Sequence, residues 1–297
     1  VRYLLKEKLI YTNEQGLSAE ISHLSFFFLN SVDGLGSIKN TIYTSKGILQ
    51  DGVTVTGENL DVRDITITGS INATDKEEIL KYKRKLMKVF NPKIDGTLRY
   101  ELGDFIKEID CKVETAPTFP YTDNRFKTFS IQLYCANPYW NDISETKEEI
   151  AQWIGSFEFD SINGLELTST GIEMGYREQS LIVNVINEGD VECGMRVEFK
   201  ALASVVNPSI LNVNTQEYIK INKTMEAGEV ITVTTNYGNK KVQSYLNGVT
   251  SNAFNYIDFE STFLQLEVGD NLFRYNADTG IDNLEVSIYY TPKYLGV

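Results

Sequence analysis

The residue types that carry most enzymatic chemistry are scarce in this chain of 297 residues. There is one histidine, His23, and there are three cysteines, Cys111, Cys135 and Cys193, with no CxxC spacing. A Ser-His-Asp relay needs an imidazole held between a hydroxyl and a carboxylate, and a thiol nucleophile needs a base beside it. His23 lies between Ser22 and Leu24, just before Phe26-Phe27-Phe28, a setting that suits a packed ring better than a catalytic one. Two of the cysteines fall at apolar positions of alternating segments, where a free thiol behaves as a small hydrophobe. Neither a disulfide framework nor a zinc site is expected.

Carboxylates, by contrast, are abundant: 41 Asp and Glu against 28 Lys and Arg, for a net charge of −13. Two carboxylates at a defined separation are the minimum for glycoside hydrolysis, but no pair is set apart by its surroundings. A field this acidic opposes binding to nucleic acid and to anionic membranes. The expectation is no catalytic residue, no cofactor and no metal.

The elements that would have to position any site are mostly strands. A hydrophobic content of 42% is enough to bury a core in each of two ordinary domains. No run approaches the length of a membrane helix and no signal segment is recognised, so a soluble, cytosolic protein is expected. In the segment Arg125 to Trp140, Phe129, Ile131, Leu133 and Cys135 alternate with polar residues, the period of a half-buried strand that Asn137-Pro138 terminates. Strands are also expected at Tyr3 to Tyr11, Leu24 to Leu29 (buried), Thr41 to Thr44, Val53 to Thr56 and Ile65 to Gly69. Turn signals recur between them at the spacing of an antiparallel sandwich.

One strong helix is predicted from Asp75 to Phe90. Thr74 or Asp75 caps it, Glu77 and Glu78 lie in its first turn, and cations concentrate toward its far end, in accord with the helix dipole. Ile79, Leu80, Tyr82, Leu86, Met87, Val89 and Phe90 form a broad apolar face, with Lys83 inside it reaching out along its stem. Six cations against three acids make this helix a basic patch on an acidic chain, either a solvated face or a contact for an acidic neighbour. Leu98-Arg99-Tyr100 and Phe105 to Val113 read as a hairpin turning at Gly103-Asp104.

Beyond Trp140, Asn141 to Trp153 reads as a short helix with Thr146 and Glu149 at capping-box spacing. β patterns return from Phe157. A hairpin is expected from Leu181 to Ala201 around Glu188-Gly189-Asp190, and strands at Tyr218 to Ile221, Val230 to Thr235, Val242 to Leu246, Leu272 to Tyr275 and Leu284 to Tyr290. The fold class expected is mainly β: an N-terminal β-sandwich with one α-helix and a β-hairpin, then a C-terminal jelly-roll sandwich.

These fragments, in this order, resemble the siphophage distal tail protein family. In the first half the resemblance rests on Arg63-Asp64-Ile65-Thr66-Ile67, the helix Asp75 to Phe90, and Cys135-Ala136-Asn137-Pro138-Tyr139-Trp140. In the second it rests on Asn187-Glu188-Gly189-Asp190, Asn207-Pro208, Ala227-Gly228-Glu229, and Leu266-Glu267-Val268-Gly269-Asp270-Asn271 leading to Tyr275. The resemblance implies a ring-forming domain over residues 1–140, a helical linker over 141–154 and a galectin-like β-sandwich over 155–297.

The resemblance further implies a non-enzymatic virion tail protein, assembled in the host cytoplasm or in a prophage or bacteriocin particle. Its partners would be itself in a homohexameric ring, the tail tube, the tail-tip hub protein and receptor-binding proteins. DNA would only pass through the lumen, and no membrane insertion is implied. Ring closure needs two different complementary patches per subunit. Lys81, Arg84 and Lys88 on the helix, and Leu98, Arg99, Tyr100 and Phe105 on the hairpin, are the candidate interface residues. The competing function is a carbohydrate-binding adhesion module, in which Tyr237, Tyr245, Tyr256, Tyr289, Trp140 and Trp153 stack on sugar rings.

Overall fold

Period-two alternation over short segments, punctuated by glycine and asparagine turns, yields a mainly β protein with one α-helix among the described residues. The computed structural model describes residues 7–36, 38–73, 75–120, 127–150, 153–154, 176–177 and 182–297. They fall into two compact units, Val1–Ile143 with Lys293–Val297, and Ser144–Pro292. No helix among the described residues is long and apolar enough to cross a membrane.

The first unit holds β1 (Glu7–Asn13), β2 (Ser18–Ser22), β3 (Phe27–Asp33), β4 (Asn40–Ser45), β5 (Thr54–Leu60), β6 (Arg63–Ile71), α1 (Lys76–Val89), β7 (Gly96–Leu102), β8 (Phe105–Thr118), β9 (Lys127–Cys135) and β10 (Trp140–Asn141). Its strands run in the order β8-β7-β1-β2-β3-β6-β9, and β9 pairs again with β8. The sheet therefore closes into a barrel, where turn spacing alone suggested a sandwich. Spacing reports strand length but not whether the first and last edges meet.

The alternating face of β9 works as its sequence indicates. Phe129, Ile131, Leu133 and Cys135 all point inward and are buried, opposite Ile65 and Ile67 of β6. Gly69 sits where the Phe129 ring crosses the sheet; a Cβ there would meet the ring at 2.4 Å. Helix α1 begins at Asp75, whose carboxylate accepts from the Glu78 N–H at 2.8 Å. It buries Leu86 and Val89 with Phe90, which stacks on Tyr11 with centroids 4.4 Å apart.

The second unit holds β11 (Thr146–Glu149), the paired short strands β12 (Trp153–Ile154) and β13 (Tyr176–Arg177), β14 (Ile182–Asn187), β15 (Cys193–Ala201), β16 (Val205–Val206), β17 (Ser209–Asn212), β18 (Tyr218–Lys220), β19 (Thr224–Met225), β20 (Val230–Thr234), β21 (Lys241–Leu246), β22 (Val249–Asn252), β23 (Gln265–Leu266), β24 (Gly269–Asn276) and β25 (Leu284–Tyr290). One sheet runs β11-β25-β15-β20-β21-β22, with β23 also on β15; the other runs β14-β24-β17-β18. Val197, Phe199, Ile231, Val233, Phe273 and Ile288 fill a core common to the unit. The last strand, β26 (Lys293–Tyr294), returns to the first unit and pairs with β10.

Four expectations are corrected. The connector is not a helix: Thr146–Glu149 is strand β11, paired with Ser287 to Tyr290. Thr146 and Glu149 have the spacing of a capping box, but the hydrogen bonds of β25 satisfy that backbone instead. The segments around Glu188-Gly189-Asp190 do not pair with each other. β14 joins β24 and β15 joins β20 and β25, so the turn carries the chain from one sheet to the other. Leu24 to Leu29 is not a buried strand, since β3 starts at Phe27 and Leu24, Phe26 and Phe28 are exposed. On α1, Leu80 and Met87 are exposed, so the apolar face is narrower than the wheel suggests. The β expectation between Phe157 and residue 175, and the side chain of Trp153, lie outside the described residues.

Candidate functional site

Among the described residues the histidine and the cysteines lie apart from one another in kind: one exposed, three buried. His23 is exposed rather than packed in the core, edge-on to Phe28 at 5.2 Å. The three cysteines are all buried, and none is in a disulfide. Among the described residues no group of three or more His, Cys, Asp or Glu is placed to hold a metal ion. What the first unit does present is surface of unusual composition.

The outward face of α1 carries Lys81, Arg84 and Lys88, all exposed, and among the described residues none forms a salt bridge. Leu80 and Met87, 62% and 50% exposed, lie among them. Two other cations of the helix lie against rings: Lys83 over Phe119 at 4.7 Å and Lys85 over Phe27 at 5.9 Å. Residues 80, 84, 87 and 88 fall on one side of a helix, so this face is mixed basic and apolar. That suits a macromolecular contact better than bulk water does.

The candidate residues of the β7–β8 hairpin divide. Leu98 and Tyr100 are buried in the barrel core, so their side chains cannot reach a neighbour. Arg99 points outward with Glu108 3.8 Å away, and Phe105 is exposed beside Lys107. The hairpin is no free arm. It is wall, held by β1 on one flank and by β9 and β10 along β8.

The free arm is the ribbon β4–β5, a two-stranded sheet paired to nothing else among the described residues. Ile42, Tyr43, Val53 and Val55 are exposed on it, and at its tip Ile48 and Leu49 are 98% and 100% exposed. Leu49 has φ +65°, a left-handed conformation that costs a leucine roughly 1–2 kcal/mol. An isolated two-stranded ribbon is only marginally stable in water, and its open edges invite pairing. Sequence reading found both strands but not their isolation, because the partners of a strand are set by topology.

The root of this ribbon is fastened. Arg63 is buried at the start of β6, and its guanidinium donates to the carbonyls of Gly34 (2.6 Å), Leu35 (2.8 Å), Pro138 (2.8 Å) and Leu295. No carboxylate faces it in these bonds; burial lowers its pKa, and the carbonyl dipoles hold the charge. Trp140 Nε1 also donates to the Leu35 carbonyl at 3.1 Å. Gly34, at φ +92°, is obligatory, since a Cβ would lie 2.1 Å from the Asp64 carbonyl oxygen. The returning C-terminal segment is pinned a second time: Lys107, buried, pairs with Asp142 and lies 3.5 Å from the Tyr294 ring centre, and the Tyr294 hydroxyl donates to Asp142.

In the second unit the aromatic candidates are dispersed. Trp140 belongs to the first unit's core. The Tyr289 face is covered by the Arg196 guanidinium at 3.9 Å, and Lys223 lies over Tyr256 at 5.5 Å. Tyr237 and Tyr245 remain exposed, near opposite ends of β21.

The same unit hides a carboxylate. Glu229, fully buried, accepts from Lys223 Nζ, Ser244 Oγ and the Glu226 N–H. Burial alone would raise its pKa, but these three donors outweigh burial and lower it. A carboxylate whose folded pKa is depressed contributes stability that is complete above its unfolded pKa, about 4.3, and is lost as pH falls through the folded value. The second unit should therefore lose thermal stability steeply below about pH 4.3. Glu229→Gln should lower the midpoint at pH 7 and flatten that acid limb, both read by scanning calorimetry; an unaltered pH profile would rule Glu229 out as its source.

With the geometry in place, comparison with known proteins is decisive. A family model described as the C-terminal domain of a siphovirus-type tail component matches residues 188–294, and a phage tail protein RIFT-related domain matches residues 14–135. The two spans follow each other in order and together take in most of the chain.

The chain belongs to the siphophage distal tail protein family.

Solved structures of similar fold include the Dit protein (gp 19.1) of phage SPP1, described as a paradigm of the hub adsorption apparatus in phages infecting Gram-positive bacteria. It superposes with a TM-score of 0.69 at 12% identity, covering 96% of this chain and 98% of that one. Chains of the phage p2 baseplate in its activated conformation match at 14% identity. With Sr the TM-score is 0.50 over 98% of this chain and 99% of that; with Ca it is 0.51 over 99% and 100%. No curated protein matches the chain. Family membership makes it a structural component of the phage tail and baseplate.

Several family-bearing fragments are fasteners in the fold. Arg63 ties the ribbon root. The Asn187 side chain accepts from Gly189 N–H and donates to the Val191 and Leu266 carbonyls, and Asn271 Nδ2 donates to Glu267 and Gly269. The resemblance was legible because these roles admit few residue types.

Proposed function

We propose that six copies close into a ring at the distal end of the tail, joining the tail tube to the tail-tip hub. In this reading the first unit builds the ring and the second serves as a platform for peripheral proteins, including those that bind the receptor. The observation that carries it is the ribbon: fastened at its root, carrying exposed Ile42, Tyr43, Val53 and Val55, and bare at its tip. A side chain held in a costly conformation with nothing to touch is best explained by a partner that completes it. The basic and apolar face of α1 supplies a second patch of different character, as a head-to-tail interface requires. On a chain of net charge −13, three unpaired cations have acidic surface to meet on the next copy. The acidic balance also suits a channel through which DNA passes without adhering.

Multi-angle light scattering tests the reading directly, with a particle of six chains expected and a monomer at micromolar concentration counting against it. Reversing Lys81, Arg84 and Lys88 to glutamate together should weaken assembly by about 100-fold or more in concentration and leave the thermal midpoint within a few degrees. An unchanged particle mass would remove α1 from the interface.

A further inference from the structure

We propose that Cys111 and Cys135 form a disulfide on oxidation, locking the seam at which the barrel closes. Strand β8 meets β9 with Val113 opposite Leu133 and Lys112 opposite Tyr134. One step further along this antiparallel ladder, Cys111 faces Cys135. Both side chains point inward, at 4% and 0% exposure, into the same core. Directly opposed residues in an antiparallel pair have Cα atoms about 4.5–5.5 Å apart, inside the range a disulfide spans. Among the described residues the β8–β9 pairing is what turns the open sheet into a barrel, so a bond here is a covalent latch across it.

The chemistry balances with a two-electron oxidant. Each thiol loses a proton, the pair gives up two electrons, and a sulfur–sulfur bond forms. Dioxygen accepts the electrons and protons to become hydrogen peroxide, or a small-molecule disulfide accepts them to become two thiols. The neighbouring Cys135 thiol and burial push the Cys111 pKa up and keep it protonated, so oxidation is slow and proceeds through opening of the seam. A reducing cytoplasm keeps the pair open, and an oxidising medium closes it. That this happens when a finished particle leaves its host rests on the tail-protein reading; the bond itself does not. Cys193, buried in the second unit, is an internal control.

The test uses the full chain. Protein kept under dithiothreitol, and protein incubated with oxidised glutathione in mild urea and returned to buffer, are each denatured and alkylated with iodoacetamide for mass spectrometry. The reduced sample should take up three alkyl groups. The oxidised sample should take up one, at Cys193, weigh two hydrogen atoms less before alkylation, and yield a peptide linking Cys111 to Cys135. Its first unit should melt roughly 5–10 °C higher, reversibly with dithiothreitol. Cys135→Ser should abolish both changes. Three alkylations after oxidation, a mixed disulfide with glutathione, or a bond between chains would each overturn the proposal. Because none of these readouts depends on assembly, failure of the latch is distinguishable from failure of the ring.

Discussion

Changing Ile48 and Leu49 together to serine should give a protein that folds normally and no longer assembles. Both side chains are essentially fully exposed, so their removal leaves no cavity, and surface changes of this kind usually move stability by less than about 0.5 kcal/mol. If instead they dock on a neighbour, each is a buried aliphatic anchor there. Losing two such anchors costs on the order of 3–4 kcal/mol per contact, which is several hundred-fold in association. In a ring every subunit gives one ribbon and receives another, so each lost contact recurs around the circle. On the proposed ring reading, sedimentation velocity should show a ring for the parent protein and monomer for the variant, with superimposable thermal melts. A companion Leu49→Gly variant should be slightly more stable as a monomer, since glycine adopts φ +65° without penalty. Persistence of the ring in the double serine variant would exclude the tip from the interface.

Arg63→Met should be the most damaging single change in the first unit, costing on the order of 4 kcal/mol. Methionine fills similar volume but donates nothing, and the carbonyls of Gly34, Leu35, Pro138 and Leu295 lose a charged donor at once. Trp140 and the Val297 N–H still reach Leu35, so that carbonyl keeps a partner. Arg63→Lys should fall between, because one ammonium cannot span four acceptors set by a planar fork. Hydrogen exchange should show the loss locally, with protection falling at the Val297 amide and along β3 and β6 before it falls elsewhere. The ribbon, no longer anchored, should assemble poorly even at temperatures where the barrel persists. A cost under about 1 kcal/mol would show that water or other donors replace the guanidinium.

The amino-acid order by itself determined most of the segments that extend, where the helix lies and how it is capped. These are local matters: Phe129, Ile131, Leu133 and Cys135 alternate, Asp75 stands three residues before Glu78, and prolines stop the strands they follow. It also carried the family, through asparagines, glycines and Arg63, whose fastening roles few other residues can fill. Tertiary structure alone decided what those segments touch. Thr146 to Glu149 became a strand because β25 offered it an edge, and Leu98 and Tyr100 went inside because β7 is barrel wall. β4 and β5 stand apart because β3 and β6 pair with each other beneath them. Cys111 and Cys135 came face to face for the same reason: local patterning sets which side of a strand a residue occupies, whereas the closing of a sheet sets which residue lies opposite.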